Sequence, residues 1–173
     1  GILDPFKTYE IVKEIKSSTT LPIEIHFHND LGMAVANSIA AVKAGATYIN
    51  TTVLGLGERA GNASLEELTV ALKVLGDHEV SLNFKNLTDI TTEISKILKV
   101  HIPFNKPIIG RNAFRHESGM HVDGVLKSPE NYEPYNPEMI GKTRDFSLGI
   151  TSGRSSVIYL LNKLGFDLNK DHI

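Results

Sequence analysis

The sequence predicts an α/β protein, with a parallel sheet in its first half and mostly helices in its second half. Over residues 1–76, helix-like and strand-like stretches alternate, and this order is typical of parallel strands connected by helices. From residue 86 onward, helical patterns are separated by proline-rich breaks. The first half offers only two strands, which do not form a stable sheet by themselves. We therefore expect these 173 residues to be part of a larger structure.

Local signals mark each element of the first half. Asp4 and Pro5 are typical of the N-cap and first residue of a helix. Ser64 and Glu67 form a capping box in front of another helix, and runs rich in β-branched residues predict the strands. In chain order, the predicted elements are a helix from Pro5, a strand over 22–27, a helix over 31–44, a strand over 48–54 and a helix from Ser64 to about Leu75.

The second half contains fewer strand signals. Its first apolar pattern follows the helical period. The predicted elements are helices over 86–100, 116–126 and 155–164, and a short strand over 144–150. We place a boundary between about 77 and 86, so that residues 1–80 form one domain and residues 86–173 form an accessory region.

The composition excludes several classes of protein. A net charge of -2, with 41% hydrophobic and 22% charged residues, is ordinary for a globular chain and argues against a strongly basic nucleic-acid binder. No apolar run approaches the roughly 20 residues of a membrane span, and Lys7 and Glu10 interrupt any signal peptide at Gly1. Cysteine is absent. We therefore expect a cytoplasmic protein without nucleic-acid or membrane partners.

Two histidines, His26 and His28, lie at the end of the first predicted strand. Alternate residues of a strand point to the same face, and parallel α/β folds build sites at the carboxyl ends of their strands. Two imidazoles in this position can bind one divalent metal. A hydrogen-bonded histidine pair without a metal is the alternative.

A glycine-rich loop over 55–63 follows the second predicted strand. Its glycines allow a ligand to approach the backbone closely, and Glu58, Arg59 and Asn62 add a carboxylate, a guanidinium and an amide. The spacing does not match a dinucleotide or phosphate loop. A solvated loop, with Asn62 near the start of the next helix, is the alternative.

Glu117 and His121 are a third candidate. They are four residues apart, so the predicted helix would place them on one face. A carboxylate beside an imidazole orients the ring and stabilises its charged form, as a general acid or base requires. An exposed ion pair without a function is the alternative.

Four ordered segments resemble one enzyme family. They read GILDPF, HFHNDLGMAVANSIAAVKAGA, INTTVLGLGERAGNASLEEL and FRHESGMHVDGVLKSPENYEPYNPEMIG. Together they resemble the homocitrate synthase and isopropylmalate synthase family, from Gly1 to about Gly165. NTTVLGLGERAGN and HESGMHVDGVLK are most similar to homocitrate synthases of the nitrogen-fixation type. The resemblance implies the C-terminal part of a TIM (β/α)8 barrel, its last two strands with flanking helices, followed by a mostly helical accessory region.

The resemblance also implies a metal site and a reaction. It places His26, His28 and Asn62 on a divalent metal, and these nitrogen and oxygen donors suit Mg²⁺, Mn²⁺ or Zn²⁺. The metal would activate a 2-oxo acid, to which acetyl-CoA adds in a Claisen condensation. For the homocitrate type, this acyltransferase reaction forms homocitrate from 2-oxoglutarate and releases CoA.

Further roles follow for the accessory region. By resemblance, His121 is the catalytic histidine and reaches the active site of the neighbouring protomer in a domain-swapped dimer. From its spacing, we expect Glu117 to orient His121. We also expect Glu58 to lie near the metal ligands without binding the metal.

The sequence departs from the family at several places. Family members carry Leu-Gly-Lys-His-Ser-Gly-Arg near the end, whereas residues 148–154 read LGITSGR and lack the Lys-His pair. A tyrosine that some members use beside the catalytic histidine has no clear match, although Tyr132 and Tyr135 are candidates. The Asp-Gly run of the family's first strand, with its catalytic arginine and acidic metal ligand, does not occur in this chain.

These departures shape the expected assembly. We expect a separate chain to supply the first six barrel strands, in a heteromer or domain-swapped dimer that is active only as a complex. Isopropylmalate synthase and Re-type citrate synthase are alternative reactions. A non-catalytic assembly or regulatory module of such a synthase is an alternative of another class.

Overall fold

The structure is a computed structural model that describes residues 1–76 and 78–166. The chain forms two compact units, one of Gly1–Leu82 with Thr91–His101 and one of residues 83–90 with those from Ile102 onward. This division differs from the predicted one because residues 91–101 lie with the first unit; the role of the accessory region stays a prediction. No helix among the described residues is long and apolar enough to cross a lipid bilayer.

The first unit alternates helices and strands. Its helix starts follow the predicted caps, since Lys7 N donates to Asp4 Oδ1 over 2.8 Å and Ser64 caps the third helix. The elements are α1 (Pro5–Ser17), β1 (Glu24–His26), α2 (Ala34–Lys43), β2 (Tyr48–Asn50) and α3 (Leu65–Leu75), followed by α4 (Leu87–Leu98), whose residues belong partly to each unit.

The strands β1 and β2 form a parallel pair in which His26 lies opposite Asn50. Their central residues, Ile25 and Ile49, pack against a small core. The core residues are Val12, Ala41 and Ala44. The flanking residues of both strands are exposed on the other face, which is the face that lines the interior of a closed barrel.

The second unit contains a smaller sheet with helices. Its elements are β3 (Arg115–His116), α5 (Gly119–Lys127), β4 (Asp145–Phe146) and α6 (Arg154–Lys163). The strands β3 and β4 run parallel, and Val122 and Val125 of α5 form a core with Phe146 of β4, against which Tyr159 packs.

Several elements are shorter than predicted or begin at a different residue. The strands predicted over 22–27 and 48–54 are three residues each, because only Glu24–His26 and Tyr48–Asn50 pair with each other. The end of the second predicted range is instead a 3₁₀ turn at Val53–Gly55, where Leu54 has φ +62°. The helix predicted over 116–126 begins at Gly119, because Arg115 and His116 pair with β4 as a strand instead. The segment before it is strand β3, which the sequence analysis missed.

Candidate functional site

His26 and His28 lie side by side at the carboxyl end of β1. His26 is the last residue of the strand, and His28 forms an isolated β-bridge with Asn62. The two rings meet edge to face at 87°, with their centroids 4.8 Å apart, and their Nε2 atoms are separated by 3.3 Å. The ring nitrogens therefore face one another, as expected for alternate residues of an extended segment.

An amide next to His26 favours one tautomer of its ring. Asn50 Oδ1 lies 3.3 Å from His26 Nδ1, and the two residues are opposite each other in the sheet. An amide oxygen only accepts, so a hydrogen bond here selects the tautomer with the proton on Nδ1 and a lone pair on Nε2. Asn50 was not among the predicted site residues, although pairing the ends of the two predicted strands would have placed it there.

The glycine-rich loop returns to the first strand and brings Asn62 beside His28. Asn29 N donates to Gly61 O over 2.8 Å, which fixes the returning segment. Asn62 Nδ2 donates to Leu56 O over 3.1 Å, so the amide orientation is set. Its Oδ1 is buried and has no hydrogen-bond partner among the described residues. This oxygen is therefore available to a proton donor or a cation.

The chemistry of these three side chains and the spacing of the two imidazoles suit a divalent metal. Nitrogen ligands about 2.1 Å from one ion lie about 3.0 to 3.4 Å apart in octahedral or tetrahedral geometry, and the two Nε2 atoms are separated by 3.3 Å. The orphaned Asn62 oxygen adds a third donor, and such a set suits Mg²⁺, Mn²⁺ or Zn²⁺. Over residues 1–76 and 78–166, no three His, Cys, Asp or Glu side chains cluster as a metal site, so the described donors are two histidines and an amide.

Gly57 and Gly61 make this loop geometry possible. A Cβ on Gly61, where φ is +85°, would lie 2.0 Å from Gly55 O, and a Cβ on Gly57 would lie 2.4 Å from Asn62 Nδ2. The first contact is with backbone, which cannot move aside without reshaping the loop. The second shows that Gly57 makes room for the Asn62 amide. The glycines predicted to permit close approach therefore shape the candidate site.

Arg59 and Asp30 join the two loops that carry the candidate ligands. Arg59 Nε donates to Asp30 Oδ1 over 2.8 Å, and Nη2 donates to Oδ2 over 3.3 Å. The hydrogen bonds from Arg59 hold the pKa of the Asp30 carboxyl well below its usual range. The Glu58 side chain is 85% exposed, and its Oε2 lies 3.7 Å from Arg59 Nη1. Glu58 therefore faces solvent, and a role for it near the metal stays a prediction.

In the second unit, Glu117 and His121 do not share a helix. Because α5 begins at Gly119, the predicted helical spacing of this pair is wrong. Glu117 Oε1 instead accepts a hydrogen bond from Thr151 Oγ1 over 3.0 Å. Thr151 stands where the resembling family carries the histidine of its Lys-His pair. Glu117 thus binds the segment over 148–154, and its orienting of His121 stays a prediction.

His121 lies in the first turn of α5, beside Tyr132. Both side chains are exposed, and their ring centroids are 5.0 Å apart. A Cβ on Gly124 would lie 2.2 Å from Tyr132 Cε2, so the tyrosine ring covers this face of the helix. The other candidate, Tyr135, packs against Phe114, and burial raises the pKa of Tyr135 to about 12. Of the two tyrosines, Tyr132 is the one next to the histidine.

A buried ion-pair network follows Tyr132 directly in the chain. The Glu133 side chain is 3% exposed and accepts hydrogen bonds from Arg144, with Nε at 2.7 and 2.9 Å and Nη2 at 2.7 Å. His116 Nε2 lies 3.2 Å from Glu133 Oε1. Burial alone would raise the pKa of the Glu133 carboxyl, but hydrogen bonds from Arg144 and His116 hold this pKa below its ordinary value. None of these three residues was among the predicted site residues.

Curated relatives match nearly the whole chain. It is 46% identical over 99% of its length to homocitrate synthase 1 of Nostoc, and 44% identical over 100% to the (R)-citramalate synthase of Methanocaldococcus jannaschii. It is 44% identical over 99% to 2-isopropylmalate synthase 2 of Caldanaerobacter subterraneus. The chain spans 45%, 35% and 44% of these relatives, respectively. Three names at similar identity do not single out the nitrogen-fixation type of homocitrate synthase.

Family and structure comparisons agree with the fold. The "homocitrate synthase post-HMGL domain-like" family matches residues 108–173. An HMG-CoA lyase from Bacillus subtilis is similar in fold, with a TM-score of 0.53 and 22% identity over 65% of this chain and 38% of that chain. The predicted fold class, the C-terminal part of a TIM barrel followed by a mostly helical region, is confirmed. The HMGL-like family model matches residues 1–94, which are more than half of this chain, and the chain therefore belongs to the HMGL-like family.

Proposed function

We propose that this chain forms part of an acyltransferase that condenses the acetyl group of acetyl-CoA with a 2-oxo acid. The observation that carries the proposal is the set of facing His26 and His28 Nε2 atoms with the orphaned Asn62 Oδ1. Such a set can bind a metal that activates a chelating substrate. The names of the relatives, which are homocitrate, citramalate and isopropylmalate synthases, support this class of reaction.

In this proposal, the first unit holds the metal through its own side chains. His26 and His28 would offer nitrogen lone pairs, and Asn62 would offer its amide oxygen. When bound, the divalent metal supplies a Lewis acid that polarises the keto group of the 2-oxo acid. Asn50 keeps the His26 ring in the tautomer with a free Nε2, because its Oδ1 accepts from Nδ1.

The second unit contributes a group that moves protons. His121 and Tyr132 lie in contact, and we propose that His121 is the catalytic residue of this pair. In the reaction, a C–H bond of the acetyl methyl breaks and a C–C bond to the keto carbon forms, while the keto oxygen gains a proton. Water then cleaves the thioester and releases CoA with its thiol protonated. An imidazole can carry these protons near neutral pH.

We further propose 2-oxoglutarate as the 2-oxo acid, so that the product is homocitrate. The similarity of NTTVLGLGERAGN and HESGMHVDGVLK to homocitrate synthases supports this choice, whereas the overall identities to homocitrate, citramalate and isopropylmalate synthases are alike. We also propose that the active form includes the remaining barrel strands, on a separate chain in a heteromer or domain-swapped dimer. The exposed flanking residues of β1 and β2 support the need for further strands, whichever chain carries them, since barrel strands are buried on both faces.

A substrate assay on the complete assembly tests the proposal. The protein is supplied with acetyl-CoA and, separately, 2-oxoglutarate, 2-oxoisovalerate, pyruvate or oxaloacetate, and release of the CoA thiol is measured. We expect the highest kcat/KM with 2-oxoglutarate. A preference for another acid would replace the homocitrate assignment, and no release with any of them would contradict the condensing function.

Two variants separate catalysis from a purely structural role. We expect His28→Ala to lower divalent-metal affinity and condensation at least about 100-fold, because one of two facing nitrogen donors is lost. His101→Ala, at an exposed histidine outside the site, is the matched control and should change neither. His121→Ala should abolish condensation while leaving metal binding intact. Undiminished condensation in His121→Ala would favour the non-catalytic module instead.

A further inference from the structure

We propose that the buried Glu133 carboxylate, bound by Arg144 and His116, is a positioning group that holds Tyr132 beside His121. The proposal rests on the proposed function, in which His121 touches the reacting atoms. It assigns a positioning role to a buried residue that follows Tyr132 directly in the chain.

The Glu133 side chain is fixed more firmly than the tyrosine it follows. Arg144 donates to both carboxylate oxygens at 2.7 to 2.9 Å, and His116 Nε2 lies at 3.2 Å. Hydrogen bonds between a guanidinium and a carboxylate in this fork geometry are both strong and directional. Only 3% of the Glu133 side chain is exposed, so solvent does not compete for it. These contacts restrain the backbone at Glu133 and therefore also the adjacent residue, Tyr132.

Packing holds the Tyr132 ring on one face only. The residue is 40% exposed, and its ring rests on one face of α5 at Gly124. Its amide and that of Glu133 both donate to Pro129 O, over 3.0 and 2.9 Å. The turn is joined to α5 by the hydrogen bond that Ser128 N donates to Gly124 O over 2.8 Å. The buried Glu133 carboxylate joins the same turn to β3 and to the residue that precedes β4, through His116 and Arg144.

The network also connects the Tyr132 segment to the same small sheet that supports the helix of His121. His116 is a residue of β3, and Arg144 immediately precedes β4. The helix that carries His121 packs its Val122 against Phe146 of β4. Both members of the exposed pair are therefore positioned from one sheet, which is an arrangement that would keep their ring contact at 5.0 Å.

Kinetics on the complete assembly test the proposal. We expect Glu133→Gln to lower kcat about 10- to 100-fold, since a shift of about 1 Å in a catalytic group has that effect, with KM for the 2-oxo acid unchanged. Arg144→Lys keeps the charge but not the fork, and should lower kcat less. The matched control is Asp145→Asn, which removes the exposed Arg115–Asp145 pair at 3.4 Å in the same sheet and should leave kcat unchanged.

A double-variant cycle identifies the residue through which Glu133 acts. In a Tyr132→Ala background there is no ring to position, so Glu133→Gln should have no further effect on kcat. If Glu133→Gln lowers kcat by the same factor in both backgrounds, the proposal is overturned. Should Glu133→Gln fail to fold, the same cycle is run with Arg144→Lys and decides in the same way.

A spectroscopic readout does not depend on turnover. With histidine labelled at Cε1 and the His121 signal assigned from His121→Gln, Tyr132→Ala should shift that signal because the ring current of the tyrosine is lost. Glu133→Gln should shift it in the same direction, and Asp145→Asn should not. An unmoved His121 signal in Glu133→Gln overturns the proposal. A shifted signal in a protein that condenses no 2-oxo acid supports the positioning role and refutes the proposed function alone.

Discussion

Gly124 is a glycine in the middle of a helix, and replacing it with alanine probes the contact between α5 and Tyr132. A Cβ at this position would lie 2.2 Å from Tyr132 Cε2, 2.9 Å from Cζ and 3.0 Å from the hydroxyl oxygen. Ordinary contact begins at 3.4 Å, so the ring must move by at least 3.4 − 2.2 = 1.2 Å. The clash is with the ring and not with backbone, so the helix itself stays intact.

Two opposing terms set the expected stability change. Alanine in place of glycine inside a helix stabilises the fold by about 1 kcal/mol, whereas forcing a group into a filled space costs about 1 to 3 kcal/mol. We therefore expect Gly124→Ala to leave the free energy of unfolding unchanged or lower it by up to about 2 kcal/mol. In a Tyr132→Ala background the clash is gone, and the same change should stabilise by about 1 kcal/mol.

Calorimetric and urea unfolding of the complete protein measure both backgrounds. The expected coupling between Gly124 and Tyr132 is about 1 to 3 kcal/mol, which such a cycle resolves. We also expect kcat to fall about 10-fold or more, because the displaced ring no longer lies beside His121. Equal stabilisation by Gly124→Ala in both backgrounds would refute the reasoning, since it would mean that the ring does not rest on the helix.

Two further predictions concern the first unit. Gly57→Ala should lower divalent-metal affinity about 10-fold by displacing the Asn62 amide, as measured by metal titration. Ala60→Ser, at an exposed position of the same loop, is the control and should leave the metal affinity unchanged. Equal metal affinities of Gly57→Ala and the wild type would contradict the role of Gly57. Asp30 has a depressed pKa beside Arg59, so its stabilising effect is present above its unfolded pKa of about 3.9 and is lost as pH falls toward the folded value. The Tm difference between wild type and Asp30→Asn should therefore be present at pH 7 and shrink below about pH 4, and a difference constant down to about pH 3 would argue against this ion pair.

Local signals predicted the elements that local physics determines. Asp4 caps α1 and Ser64 caps α3, because a short polar side chain can bind the free amides within one turn. The alternation of His26 and His28 likewise fixed their common face. The strands came out shorter than predicted because pairing, not β-propensity, defines their ends, and only β1 and β2 pair with each other among the described residues of this unit.

Contacts between distant residues could not be predicted in this way. The pair of Glu117 and His121 depended on a helix start at residue 116, whereas Arg115 and His116 pair as a strand and the helix begins at Gly119. The contact of His121 with Tyr132 and that of Glu133 with Arg144 both require the chain to reverse direction in the proline-rich turns. The spacing of residues in the sequence does not predict where the chain goes after such a turn. The sequence offered one indication of the buried network, a glutamate among the turn residues of NYEPYNP. It does not show that Glu133 is buried, whereas the nearby Glu130 is exposed.

The charge of the candidate metal ligands leads to a last consequence. His26, His28 and Asn62 are uncharged donors, so a divalent cation held by them keeps its full charge. The carboxylates of the same two loops do not reduce it, since Asp30 is bound by Arg59 and Glu58 faces solvent. In the proposed function, the carboxylate of the 2-oxo acid supplies the missing negative charge, together with an acidic ligand from the rest of the barrel. Metal and 2-oxo acid must then raise each other's affinity by the same factor, because linkage between two ligands is reciprocal. The ligand set of this chain is thus suited to a site that binds its metal and its substrate together.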